Sequence, residues 1–288
     1  MSAFVARPTK VQSLLTSYGV EDINTVSSFL ASPSHAFDCS DPIHTVYVLI
    51  GSAILPTAEA VFDHVSESAY PITLVLAGGI GHSTSLLYEA VSRHPRYSPI
   101  ASRVQQLPEA QVFKTLMVEF WPDLADKLNN GTLTLLIDDR STNCGANVIE
   151  AKRELDYHGV KPKRLFIIQD PTMNRRTYAT FEKVFNGDEV ELLPWSFFPR
   201  LILSDDGFVD WELQGKKMNK HELWEPARFV SLILGEIPRI RDDAVGYGPN
   251  GAGYIAHVDI PEEVEQAWRR LNNALESAST CECTCLHI

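Results

Sequence analysis

The run Asp138-Asp139-Arg140-Ser141-Thr142-Asn143 follows the apolar stretch Leu135-Leu136-Ile137 without a break, and it concentrates acidic, hydroxyl and amide side chains at the end of a buried strand. Polar loops at strand ends are where an open α/β sheet builds its binding sites. The pattern occurs twice more. Ile72 to Leu76 runs into Ala77-Gly78-Gly79-Ile80-Gly81-His82-Ser83-Thr84, and Leu165 to Ile168 runs into Gln169-Asp170-Pro171-Thr172-Met173-Asn174-Arg175-Arg176. Gly78, Gly79 and Gly81 let the backbone approach a ligand and offer amide donors beside His82. The donor forks of Arg175 and Arg176 suit a carboxylate or phosphate, which makes these two an expected anion clamp. Three such strand ends imply one shared crevice.

Several common chemistries are missing from the motifs. Read from Gly79, a dinucleotide fingerprint would place glycine where Thr84 stands, and no acidic residue follows about 20 positions later to hold a ribose. No G-K-[ST] phosphate loop and no G-x-S-x-G elbow occurs, and His221-Glu222-Leu223 lacks the second histidine of a zinc helix, so no metal site is expected. One of Ser141, Thr142 and Asn143 must cap the helix that follows, and Asn147 lies one turn on, on the face of Asn143. His82, His158 and His257 are the histidines that could act as bases.

The elements that must position these groups follow from periodicity. Strands are predicted at His44–Ile50, Ile72–Leu76, Leu133–Ile137, Arg164–Ile168 and Val190–Leu193, with helices near 57–66, 108–120 and 143–157 and one running through Phe181. Strands alternating with helices give a parallel sheet with right-handed crossovers. Pro95, Pro99 and Pro108 predict an irregular excursion over 86–107. Short helices carrying Val11, Leu14, Leu15, Val26, Phe29 and Leu30 are expected to cover a sheet edge. The aromatic residues after Pro194, among them Trp195, Phe208, Trp211, Trp224 and Trp268, suit a packing layer or cap, and 238–261 reads as a long loop.

The chain has 288 residues, enough for one large α/β domain with an elaboration. A net charge of −12 argues against a general nucleic-acid binder. No apolar run reaches the roughly 20 residues of a membrane span, no secretory signal is evident, and Cys39, Cys144, Cys281, Cys283 and Cys285 form no disulfide framework, so a cytoplasmic protein is expected. Cys285-Leu286-His287-Ile288 has the order of a prenylation signal, but the histidine and the absence of a basic stretch favour an unmodified tail. The expected divisions are a leader over 1–41, a core over 42–200, a C-terminal cap over 201–275 and a flexible tail over 276–288.

Four blocks carry a family resemblance: 78–84, 139–147, 169–177, and Arg239-Ile240-Arg241-Asp242-Asp243-Ala244-Val245-Gly246-Tyr247-Gly248-Pro249 continuing into His257-Val258-Asp259-Ile260-Pro261. Through them the chain resembles the YdcF-like proteins, of the domain family that also holds SanA and ElyC. The resemblance runs from about residue 42 to about 270. It implies a Rossmann-like three-layer parallel sheet with a smaller C-terminal helical part, and S-adenosylmethionine as ligand or substrate. It also implies that Gly51, Gly78, Gly79, Glu109, Ser141, Thr142, Asn143, Asn147, Asp170, Arg175 and Arg176 line the crevice. Asp139, Glu109 and Asp170 are then the acidic candidates for catalysis. The membrane anchor of the SanA and ElyC branch is not expected here. The expected function is S-adenosylmethionine binding, with enzymatic use or cleavage of that ligand. The alternatives are a hydrolase or transferase acting on a phosphorylated metabolite or lipid carrier, or a non-catalytic ligand sensor.

Overall fold

The computed structural model describes residues 17–32, 34–37, 44–198, 200–203, 209–212 and 219–284. Among the described residues helix α1, Ser17–Leu30, comes first, then strand β1, Thr45–Ile50, helix α2, Leu55–Glu67, and strand β2, Ile72–Ala77. The connection to β3 holds α3, Thr84–Arg93, α4, Ala101–Val104, α5, Glu109–Phe120, and α6, Pro122–Asn130. Strand β3, Leu133–Asp138, helix α7, Cys144–Tyr157, strand β4, Arg164–Ile168, helix α8, Asn174–Val184, and strand β5, Glu191–Trp195, follow. The chain ends with the strands β6, Arg200–Leu203, and β7, Val209–Glu212, and the helices α9, Pro226–Ile240, and α10, Glu262–Thr284.

The chain divides into two compact units, one of Pro33–Asp170 and Thr177–Phe197, the other of Met1–Ser32, Pro171–Arg176 and Phe198–Ile288. The first is a Rossmann-like three-layer α/β fold. Its five strands are all parallel, in the order β3-β2-β1-β4-β5. Helices on both faces leave no side of the central strands for water, which is why all six residues of β1, Thr-Val-Tyr-Val-Leu-Ile, are buried. Alternation sends Tyr47, Leu49, Leu74 and Leu76 into one core with α2, α3, α5 and α6. Val46, Val48, Val75 and Leu136 go to the other face, against α7 and Phe181 of α8. Strand order reverses between β1 and β4, so their C-terminal ends flank the topological switch point.

Residues 34–37 cover one sheet edge. His35 N donates to Pro194 O of β5, and Phe37 stacks on Trp195 with centroids 4.7 Å apart. Pro194 itself is tolerated because β5 is an edge strand.

The connection over 86–107 differs from the sequence expectation. Thr84–Arg93 is helical, and it stops at His94, which takes extended backbone as the residue before Pro95 must. The prolines therefore cut the crossover into short helices without making it irregular. Helix α6, absent from the sequence reading, starts with Pro122 in its first turn and ends at Gly131, whose φ of 78° is left-handed.

The second unit corrects the expected divisions. Helix α1 buries Val20, Ile23, Val26 and Leu30 within it, packs against α10, and carries Asp22, which pairs with Arg270. The end of the leader thus belongs with the C-terminal part, and α10 continues through Thr284 into the segment expected to be flexible. Trp211, Trp224 and Phe229 form this unit's own aromatic core, with Trp211 and Phe229 edge to face at 4.9 Å. Pro238 lies inside α9, so the loop is 241–261. Val11, Leu14, Leu15, Cys39, Phe208 and the prenylation-like 285–288 lie outside the described residues. Among the described residues no helix is long and apolar enough to cross a membrane.

Candidate functional site

In the sheet unit the loops after β2 and β3 are built against each other. Gly79 N donates to Ser141 Oγ at 3.2 Å, and a Cβ on Gly79 would stand 2.0 Å from Ser141 O. Gly81 comes as close to Thr142, whose carbonyl oxygen would be 2.9 Å from a Cβ. Only glycine fits such an approach at 79, so the glycines serve loop against loop.

The same loop fixes the start of α5. Glu109 N and Ala110 N donate to Gly79 O and Gly78 O, at 3.1 and 2.8 Å. That places the Glu109 side chain, 8% exposed, over the ends of β1 and β2. A Cβ on Gly51 would be 1.8 Å from Glu109 Oε2, and one on Gly78 would be 3.0 Å from it. Glu109 Oε1 accepts from Thr84 Oγ at 2.9 Å, and Thr84 Oγ accepts from Gly81 N at 2.8 Å. Burial pushes the Glu109 carboxyl above the usual carboxylate range, and the Thr84 hydrogen bond opposes that in part.

Asp138, the last residue of β3, is fully buried. Its Oδ1 accepts from the backbone N of Arg140 at 3.0 Å and of Ser141 at 3.3 Å, which turns the chain out of the strand. Its Oδ2 has no hydrogen-bond partner among the described residues. Asp139 accepts from Gln111 of α5 at 2.9 Å. Of the three possible caps Asn143 is the one used, since its Oδ1 accepts from Ala146 N at 3.0 Å. Asn147 is buried on α7, whereas Thr142 and His82 are exposed.

At the switch point Asp170 Oδ2 accepts from Ser52 Oγ at 3.2 Å, and Ser52 Oγ also accepts from Ile54 N. The groups therefore form a continuous rim along the C-terminal ends of four strands. Asp170 meets Ser52 beside Gly51, Gly51 lies against Glu109, and the glycine loop leads on through Ser141 to Asp138.

Arg175 and Arg176 belong to the other unit. There Arg175 Nε donates to Phe29 O at 3.0 Å and its guanidinium sits 4.5 Å from the Phe29 ring centroid. Arg176 pairs with the buried Glu236 through Nε, at 2.6 Å, and Nη2, at 3.3 Å, and Glu236 also pairs with Arg239. Each guanidinium has a structural partner, which the expected anion clamp did not include.

Chemically the rim is rich in acceptors, and its glycine-loop amides are engaged. The amides of Gly78, Gly79 and Gly81, and those that open α5, already serve Asp138 O, Ser141 Oγ, Thr84 Oγ and the glycine carbonyls. Around them stand the carboxyl groups of Glu109, Asp138, Asp139 and Asp170, with Ser52, Thr84, Gln111 and Ser141 hydrogen-bonded among them. Among the described residues no group of three or more His, Cys, Asp or Glu is arranged to hold a metal ion. Sequence reasoning missed Ser52 as a partner of Asp170 and Asp138 as the organiser of its loop. Ser52 carries the positional signal of following the first strand, but its importance depends on β4 lying beside β1. No protein-family model matches the chain.

Proposed function

We propose that the C-terminal rim of the parallel sheet binds a small, positively charged, ribose-bearing molecule, and that the molecule is S-adenosylmethionine. The observation that supports this is the use made of the glycine loop: the amides of Gly78, Gly79 and Gly81 are engaged by neighbouring loops, while Glu109, Asp139 and Asp170 stand around them. Carboxylates accept from ribose hydroxyls and ammonium groups and favour a nearby sulfonium charge. A phosphorylated ligand would need free amides or an unpaired basic fork at the same place. The resemblance to YdcF-like proteins points to the same ligand, as an analogy of fold and motif.

Asp170, beside the switch point, suits the ribose hydroxyls. Glu109, fixed by Thr84 and desolvated, is the group best placed to hold or move a proton. The bound ligand supplies an electrophilic methyl or alkyl carbon on sulfur. The chain's own residues bind and orient it.

Calorimetric titration of the full chain tests the reading. S-Adenosylmethionine is expected to bind, S-adenosylhomocysteine, which lacks the sulfonium charge, more weakly, and a simple phosphate monoester not at all. Binding of the phosphate ester without binding of S-adenosylmethionine would reverse the assignment. Mass spectrometry of the ligand after incubation separates an enzyme, which consumes it, from a sensor, which returns it intact.

A further inference from the structure

We propose that His257 is a proton-controlled latch between Asp242 and Asp259, which fixes residues 256–261 while the imidazole carries two protons and lets Asp259 go when one leaves. Both ring nitrogens face carboxylates: Nδ1 lies 2.7 Å from Asp242 Oδ2 and Nε2 3.0 Å from Asp259 Oδ1. An ionised carboxylate only accepts, so both contacts are hydrogen bonds only if each nitrogen bears a proton and the ring is an imidazolium. His94 shows the contrast within the same chain. Its Nδ1 accepts from the backbone N–H of Arg96 at 3.1 Å, and so holds no proton there.

The two jaws are unequal. Asp242 is the fixed one: its Oδ1 accepts from Asn250 N at 2.6 Å, and Gly248 packs so closely that a Cβ would stand 2.7 Å from that oxygen. The turn around it is closed independently of His257, with Val245 N and Gly246 N on Asp243 Oδ1 and Tyr254 N and Ile255 N on Tyr247 O. Asp259 is the movable jaw, since its side chain is wholly exposed while that of Asp242 is 11% exposed. The segment ends at Pro261, whose carbonyl accepts from Val264 N and Glu265 N as α10 begins, and Glu265 is tied to Arg241.

When the ring loses a proton to solvent, the remaining one stays on Nδ1, against the closer and better-held Asp242. The Nε2 lone pair then faces Asp259, and that contact opens. Among the described residues the charged groups facing the ring are these two carboxylates, and both hold its affinity for protons above the ordinary histidine value, the Asp242 hydrogen bond first and the Asp259 hydrogen bond next. Asp242 is held below the usual carboxylate range, first by the Asn250 amide and then by His257. The raised group sets the alkaline limit: the latch is complete below the unfolded histidine value of about 6.5 and is lost as pH rises through the raised folded value. On the acid side the Asp242 contact persists until pH falls through that carboxyl's lowered value.

Nitrogen-15 imidazole spectra of the full chain between about pH 5 and 9 test this, with His257→Gln assigning the resonance. The His257 midpoint is expected above about 6.5, with the neutral form protonated on Nδ1 and the Asp259 amide shifting in step. Asp242→Asn and Asp259→Asn should each bring the midpoint down. A wild-type midpoint at or below the ordinary value, a neutral form protonated on Nε2, or a midpoint unmoved by Asp259→Asn overturns the latch. Asp259→Asn changes an exposed side chain and keeps the test open should Asp242→Asn fail to fold.

Discussion

Gly51→Ala tests whether the rim is a built structure. The added Cβ would stand 1.8 Å from Glu109 Oε2, 2.9 Å from its Cδ and 3.3 Å from its Cβ. Gly51 does not have left-handed backbone, so the cost is steric and falls on Glu109. The carboxyl must swing away, which breaks its 2.9 Å bond from Thr84. Overpacking costs about 1 to 3 kcal/mol and loss of the bond to a charged acceptor adds about 1.5, so a loss of roughly 3 kcal/mol is expected. In a Glu109→Ala background the offending oxygen and Cδ are gone and only the 3.3 Å contact with Cβ remains. The cost of Gly51→Ala should then fall to about 1 kcal/mol, a coupling of about 2 kcal/mol between the two positions. Urea unfolding followed by circular dichroism and tryptophan fluorescence reads this as shifted midpoints at constant slope. Additive behaviour of the two substitutions would show that Glu109 does not occupy the space above Gly51, and the rim as described would fall with it.

Other expectations follow from the same contacts. Burial raises the Glu109 carboxyl, so the folded chain binds that proton more tightly than the unfolded one, and ionised Glu109 lowers stability as pH rises from the ordinary carboxylate value through the raised one. Glu109→Gln, which can still accept from Thr84, should therefore be more stable than the wild type at pH 8, equal to it at pH 4, and weaker in S-adenosylmethionine binding; the same difference in unfolding midpoint at both pH values contradicts this. Arg176→Ala should destabilise the C-terminal unit by about 3 kcal/mol, because it removes one partner of the buried Glu236 and leaves only Arg239; an unchanged melting temperature would show that the pair contributes nothing. Asn143→Ala removes the α7 cap and should cost about 1 kcal/mol, with Asn143→Asp retaining most of the stability in thermal unfolding.

What could be read from the sequence was what is encoded locally. Strands such as Val-Tyr-Val-Leu-Ile announce themselves because both faces of a parallel sheet are covered, and Asn143 was among the possible caps because capping needs a short polar side chain directly before the helix. Helix α6 was missed although Pro122 and Gly131 mark both its ends, because the apolar stripe between them is thin. The place of α1 could not be read at all: its pairing of Asp22 with Arg270 spans 248 residues, and nothing in Ser17–Leu30 says which surface will cover its apolar face. Arg176 shows the same limit in the site. A pair of adjacent arginines after a strand reads as an anion clamp until the fold supplies Glu236, 60 positions away, as a partner.

The glycine loop shows why a motif's residue types underdetermine its chemistry. Gly78-Gly79-Ile80-Gly81 suggests donors aimed at a phosphate, and the sequence alone cannot say whether those donors are free. In the fold they are not: Gly78 N goes to Asp138 O, Gly79 N to Ser141 Oγ and Gly81 N to Thr84 Oγ. Two of these bonds also orient a side chain, since Ser141 is held beside Asp138 and Thr84 turns its proton toward Glu109. The donors that would have made an anion cradle thus position carboxyl groups, which is the feature on which the proposed cationic ligand rests. Ser141→Ala separates the two uses. If Gly79 N serves only to brace Ser141, the variant loses about 1 to 3 kcal/mol of stability by leaving a buried amide unpaired, and gains no affinity for phosphate esters. Phosphate binding that appears once the amide is freed would instead mean that the loop is an anion cradle held closed by its neighbour.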